Sequence, residues 1–159
     1  MILGMPPLVF THVLISLLGI GSGIVVLLGF LGNKRLDAWT QFFLATTILT
    51  SVTGFFLPAR KILPSHILGI LSLIALAIAW VARYSKQMQG GWLKTYVITA
   101  MISLYFNVFV LIAQSFMKVP SLHALAPRGS EPPFAVAQGV NFVLFIILTI
   151  FAAKKFRPA

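Results

Sequence analysis

PLVFTHVLISLLGIGSGIVVLLGFLG, residues 7–32, contains no Asp, Glu, Lys or Arg and stops at Gly32-Asn33-Lys34-Arg35. About 20 apolar residues carry a helix across the hydrocarbon core of a bilayer, and this stretch exceeds that length. Further segments of the same kind follow at about 38–58, 62–82, 92–117 (uncharged from 95) and 133–153, separated by breakers and basic residues. The expectation is an all-α bundle, 1–159 forming a single integral membrane domain with five membrane-spanning helices.

Composition points the same way. Of the 159 residues, 59% are hydrophobic and 9% charged, with a mean hydropathy of +1.01. Soluble domains carry about 25% charged residues. The 12 Lys and Arg outnumber two acids, Asp37 and Glu131, giving a net charge of +10. These cations cluster between apolar runs, which is a membrane pattern and not that of a nucleic-acid binder. No Lys or Arg precedes the first apolar run. It therefore reads as a retained span and not a signal peptide.

Counting removes several chemistries. Without cysteine there is no disulfide, thiolate nucleophile or thiolate metal site. Two distant carboxylates do not make a glycosidase-type acid/base pair. No phosphate-binding loop, HExxH or GxSxG motif occurs. The chain reads as a non-enzyme.

Orientation follows from the basic residues. With five spans, Lys34, Arg35, Arg83, Lys86, Lys94, Lys154, Lys155 and Arg157 fall on one side and Arg60, Lys61, Lys118 and Arg128 on the other. Eight against four predicts an N-out/C-in topology under the positive-inside rule. Trp39, Trp80, Tyr84, Trp92 and Tyr96 lie at the inner interface in this arrangement. The Lys154-Lys155-Phe156-Arg157 run suits a topology anchor that meets anionic lipid. Asp37 is placed to cap the second helix, Ser65 lies at the start of the third, and Pro132-Pro133 fits the first turn of the last. The connector from Lys118 to Glu131, with a solvated His123, is expected to fold over the outer mouth.

Polar residues within the spans recur at helical spacing. His12, Ser16, Gly19 and Gly23 share one face of the first; Thr46, Thr50, Thr53 and Gly54 stripe the second. His66 and Gly69 open the third. Thr99, Ser103, Asn107 and Gln114 line the fourth, and Gln138, Asn141 and Thr149 the fifth. Counting depth along each helix puts His12, His66, Gln114 and Gln138 near the outer surface, with Asn107 about 15 Å in. An outward-facing polar pocket built from His12, Ser16, His66, Asn107, Gln114, Gln138 and Asn141 is the resulting expectation. Gly19, Gly23 and Gly69 are expected to be helix-packing positions. At each position a plain interhelical hydrogen bond competes with a ligand contact.

Three functions fit these residues. The first is a non-catalytic subunit, assembly factor or binding module of a larger membrane complex or homo-oligomer. The second is a b-type haem protein using His12 and His66 as axial ligands, with Gly19 and Gly69 leaving room for the macrocycle. The third is a protein that binds or transports a quinone, lipid or small solute; alternating access usually needs repeats, and none is visible.

His12, Ser22-Gly23, Lys34-Arg35-Leu36, the TSVTGF run from Thr50 to Phe55, and Ser65-His66-Ile67-Leu68-Gly69 through Arg83 resemble a group of small uncharacterised bacterial integral membrane proteins. The likeness covers about residues 8–85. It implies a helical fold in the bacterial inner membrane and no particular activity. Leu36-Asp37 stands where many such proteins carry a second His, so no shared haem or metal site is carried over.

Overall fold

A computed structural model describes residues 7–56, 64–128 and 131–157. The described chain is all helical: α1 Pro7–Leu31, α2 Asp37–Phe55, α3 Pro64–Trp80, α4 Trp92–Lys118, α5 Pro120–Leu125 and α6 Pro132–Lys155, with a π-helical turn Val81–Ser85 extending α3. Among the described residues, four stretches are long and apolar enough to cross a membrane: Pro7–Leu31, His66–Ser85, Trp92–Phe116 and Pro132–Lys155. The connector Pro58 to Lys61 and the ends of the expected second and third spans at 57–58 and 62–63 lie outside the described residues, as does the side chain of Ser65.

The helix ends follow from local chemistry. Asn33, at φ 56°, takes the left-handed position that stops α1, and Lys34 N–H donates to Gly29 O at 2.7 Å. Asparagine tolerates this backbone better than most residues. Leu36, at φ 47°, forms the N-cap of α2 without a side-chain hydrogen bond. The expected Asp37 cap is thus corrected: Asp37 is the first helical residue, and its carboxylate accepts from Arg35 Nε at 3.2 Å and from Arg83. Two charged guanidinium donors outcompete the uncharged backbone N–H groups that a capping carboxylate would accept from. Pro132 and Pro133 open α6 as expected, since the first turn needs no N–H from them.

α2 is less apolar than its neighbours because of Thr40, Thr46, Thr47, Thr50 and Thr53. Most of these hydroxyls turn back to their own helix. Thr46 donates to Phe42 O, Thr50 to Thr46 O and Thr53 to Leu49 O, each at 2.7 Å. Such back-bonding satisfies a hydroxyl without any external partner. Thr40, Thr46, Thr47, Thr50 and Ser51 are buried, so this polar face meets protein: α2 packs on α1, α3 and α4.

The helices alternate in direction. His12 of α1 meets Thr53 of α2, Phe55 of α2 stacks on His66 of α3, and Phe116 of α4 packs on Phe134 of α6. At the opposite end Asp37 pairs with Arg83, and Phe30 packs edge-on to Tyr96 and against Phe156. The start of α1 and the end of α6 therefore lie at opposite ends of the bundle.

The two ends are built differently. Val26, Leu27, Phe30, Phe43, Leu44, Leu76, Ala79, Tyr96, Val97, Met101 and Phe156 form one closed core at the basic end. Arg157 N–H donates to Asn33 Oδ1 at 2.7 Å and ties the last helix to the α1–α2 turn. The other end is hollow.

Candidate functional site

A cavity of about 340 Å³ opens between α1, α2, α3 and α4 in the half of the bundle away from the basic core. α1 supplies Val9 to Ile20, α2 Thr50 to Phe55, α3 His66 to Ser72 and α4 Phe106 to Ser115, with Val119 at the rim. The glycine stripe of α1 explains why the helices close tightly beneath it. A Cβ at Gly23 would sit 2.6 Å from Leu104 Cδ1 and 2.8 Å from Phe43 Cε1. Only hydrogen lets three helices approach there.

Of the residues singled out from the sequence, His12, Ser16, His66, Asn107 and Gln114 all line this cavity. Gln138 and Asn141 do not. They project from α6, which lies on α4 and α1 outside the cavity wall. Gln138 Nε2 donates to Phe109 O at 3.1 Å, and Asn141 is buried in the helix interface. Gly19, Gly23 and Gly69 all sit at close contacts. His123 is exposed on α5, its Nδ1 3.3 Å from Phe116 O.

His12 Nδ1 lies 2.7 Å from Thr53 Oγ1. The Thr53 hydroxyl is committed to Leu49 O, so the imidazole Nδ1–H donates to Thr53 and the proton is assigned to that nitrogen. His66 stacks on Phe55 with centroids 5.8 Å apart and planes at 22°. α2 thus orients both histidines from between their helices. α1 and α3 themselves are not a packed pair among the described residues.

The glycines do not open the expected space for a macrocycle. The Phe55 ring lies 3.1 Å from where a Gly69 Cβ would be, and Thr47, Thr46 and Asn107 take the room at Gly19, at 3.3–3.5 Å. Among the described residues no three His, Cys, Asp or Glu side chains gather to hold a metal ion.

Around the cavity, hydrogen-bonding capacity is unevenly spent. Ser16 donates to Val13 O, Thr50 to Thr46 O and Ser115 to Leu111 O, each at 2.7 Å. Asn107 Nδ2 and Ser72 Oγ are buried and find no partner among the described residues. Buried donors without acceptors are uncommon and call for an explanation. Ser72 escaped the sequence reading, although it continues the His66–Gly69 face at the same three-residue step.

A second polar cluster sits at the opposite end and was also missed. The Arg83 side chain is 1% exposed, its Asp37 partner 66%. The guanidinium also reaches Arg35 O at 3.5 Å and lies over the Tyr96 ring at 5.1 Å. The π turn positions it: Lys86 N–H bonds five residues back to Val81 O at 2.9 Å, and the inserted residue rotates Arg83 inward. The hydrogen bond from Arg35, joined by the charges of Arg35 and Arg83, holds the Asp37 carboxyl below its ordinary value against a weaker desolvation effect. The signal in the sequence was Asp37 itself, one of two acids among twelve cations.

Compared with known proteins, the chain matches no family model, no curated protein and no solved structure.

Proposed function

We propose that this protein is a non-catalytic binding module of the bacterial cytoplasmic membrane, a subunit or assembly factor of a larger system, whose cavity holds a small amphipathic molecule. The cavity carries this reading. Its 340 Å³ lies within the range of about 300–1,000 Å³ typical of ligand sites, and it combines apolar walls with a few convergent polar groups.

Five spans and an N-out/C-in orientation belong to the same proposal. α2 has 19 residues, about 28 Å at the helical rise, close to the roughly 30 Å core. Four of its five threonines are buried against protein, while Trp39, Phe42, Leu49 and Val52 leave an exposed apolar face suited to lipid. The eight-to-four distribution of cations supports the basic end facing inward, where it meets anionic lipid. In this orientation the cavity faces outward.

The test is native mass spectrometry of protein purified in mild detergent, comparing wild type with Val110→Trp, which fills the cavity. A bound small molecule on the wild type that disappears from the filled variant is the expected result. An adduct of equal occupancy on both proteins would place the binding elsewhere and overturn the reading.

A further inference from the structure

The lining narrows the class of molecule. Among the described residues, no Lys, Arg, Asp or Glu contributes to the cavity wall. At the floor, about two turns below His12 and His66, a phosphate or carboxylate would meet no Lys or Arg among the described residues, and desolvating an unpaired ion is prohibitive. The portion of a ligand that reaches the floor is therefore uncharged.

Its polarity follows from the donors. The hydroxyls of Ser16, Thr50 and Ser115 spend their protons on backbone carbonyls of their own helices. Two buried donors on cavity-lining residues find no partner among the described residues: Asn107 Nδ2 and Ser72 Oγ, the latter on a residue 3% exposed. Asn107 lies seven residues from Gln114, and Ser72 six from His66, so they sit about 10.5 and 9 Å below the mouth by the helical rise. Val13, Leu17, Leu68, Phe106, Val110 and Leu111 form apolar walls around them. The volume suits a head group and the start of a chain, not a whole lipid.

We infer that the cavity takes an uncharged amphiphile head-first, with a carbonyl oxygen accepting hydrogen bonds from Asn107 Nδ2 and Ser72 Oγ at the floor and an apolar chain leaving by the mouth. A quinone ring and the ester of a neutral glycerolipid share this chemistry. The inference rests on the cavity being a binding site and names what that site selects.

Binding is measured by calorimetry in dodecyl maltoside with decylubiquinone, dioctanoylglycerol and, as the anionic control, dodecyl phosphate. At least one carbonyl probe should bind more tightly than the phosphate, and which one binds identifies the source. Asn107→Leu should weaken it about 10-fold, the worth of one hydrogen bond, without lowering the ligand-free thermal midpoint. An amide kept only to join helices would show the opposite pattern. Ser72→Ala, the removal of one oxygen, is the second variant and should weaken binding in the same direction. Equal binding of the phosphate, or carbonyl-probe affinities unchanged in both variants, would overturn the inference and leave the cavity as a binding site of other selectivity. Failure of all three probes, together with no adduct on the purified protein, would remove the binding site itself.

Discussion

Arg83 is a permanent cation whose side chain is 1% exposed, and its carboxylate partner, Asp37, is 66% exposed. The asymmetry predicts unequal effects from removing each partner. Asp37→Asn leaves the guanidinium buried with the Arg35 carbonyl, the Met88 sulfur and the Tyr96 ring. An orphaned charge-assisted bond of this kind costs about 2 kcal/mol. Arg83→Met removes the buried charge itself, while Asp37 keeps Arg35 and water, so its effect should be smaller. Thermal unfolding of the two variants checks the order; an Arg83→Met protein less stable than Asp37→Asn would refute it. A pH dependence follows with a definite sign. The folded-state pKa of Asp37 is depressed, so its stabilisation is complete above the unfolded value of about 3.9 and is lost as pH falls through the lower folded value. The wild-type midpoint should drop on acidification below about pH 4, and Asp37→Asn should flatten that part of the profile. With Glu131 the only other acidic side chain, the assignment is direct.

At the scale of the element, three of the four glycines of α1 sit in three different environments. A Cβ at Gly23 meets Leu104 and Phe43 below 3 Å, at Gly19 it meets Thr47 at 3.3 Å, and at Gly21 it meets nothing within 4 Å. Leu104 and Phe43 are each 1% exposed and have little room to yield. Gly23→Ala should therefore destabilise by about 1–3 kcal/mol, the usual cost of overpacking. Gly21→Ala should be neutral or slightly stabilising, because alanine favours the helix. Thermal stability in detergent separates them, and equal midpoints would mean that α1 does not pack through this face. The small-residue face was legible in the sequence because it depends only on spacing along one helix. The role of α2 was less so. Its length was readable, but its five threonines lower its hydropathy for a reason that lies in its neighbours: four of them are buried against other helices, while Trp39, Phe42, Leu49 and Val52 keep an exposed apolar face. The π turn was not legible at all, since one inserted residue changes no local pattern in Val81–Ser85.

For the whole molecule, depth along each helix brought His12, His66, Asn107 and Gln114 to one cavity, because an alternating bundle fixes which residues share a level. It misplaced Gln138 and Asn141 because periodicity says which residues share a face and not which neighbour that face meets; α6 packs on α4 and α1 from outside the cavity wall. The same alternation makes topology testable, since a chain with no native cysteine accepts single reporters cleanly. Lys34, Phe56 and Arg128 are all exposed. If α2 crosses the membrane and the amino terminus is outside, a membrane-impermeant maleimide should label Phe56→Cys and Arg128→Cys in intact cells and Lys34→Cys only after permeabilisation. Labelling of Phe56→Cys together with Lys34→Cys would mean that α2 does not cross. Labelling of Lys34→Cys alone in intact cells would invert the bundle, turning the cavity toward the cytoplasm and placing the basic end, against the positive-inside rule, on the outer face.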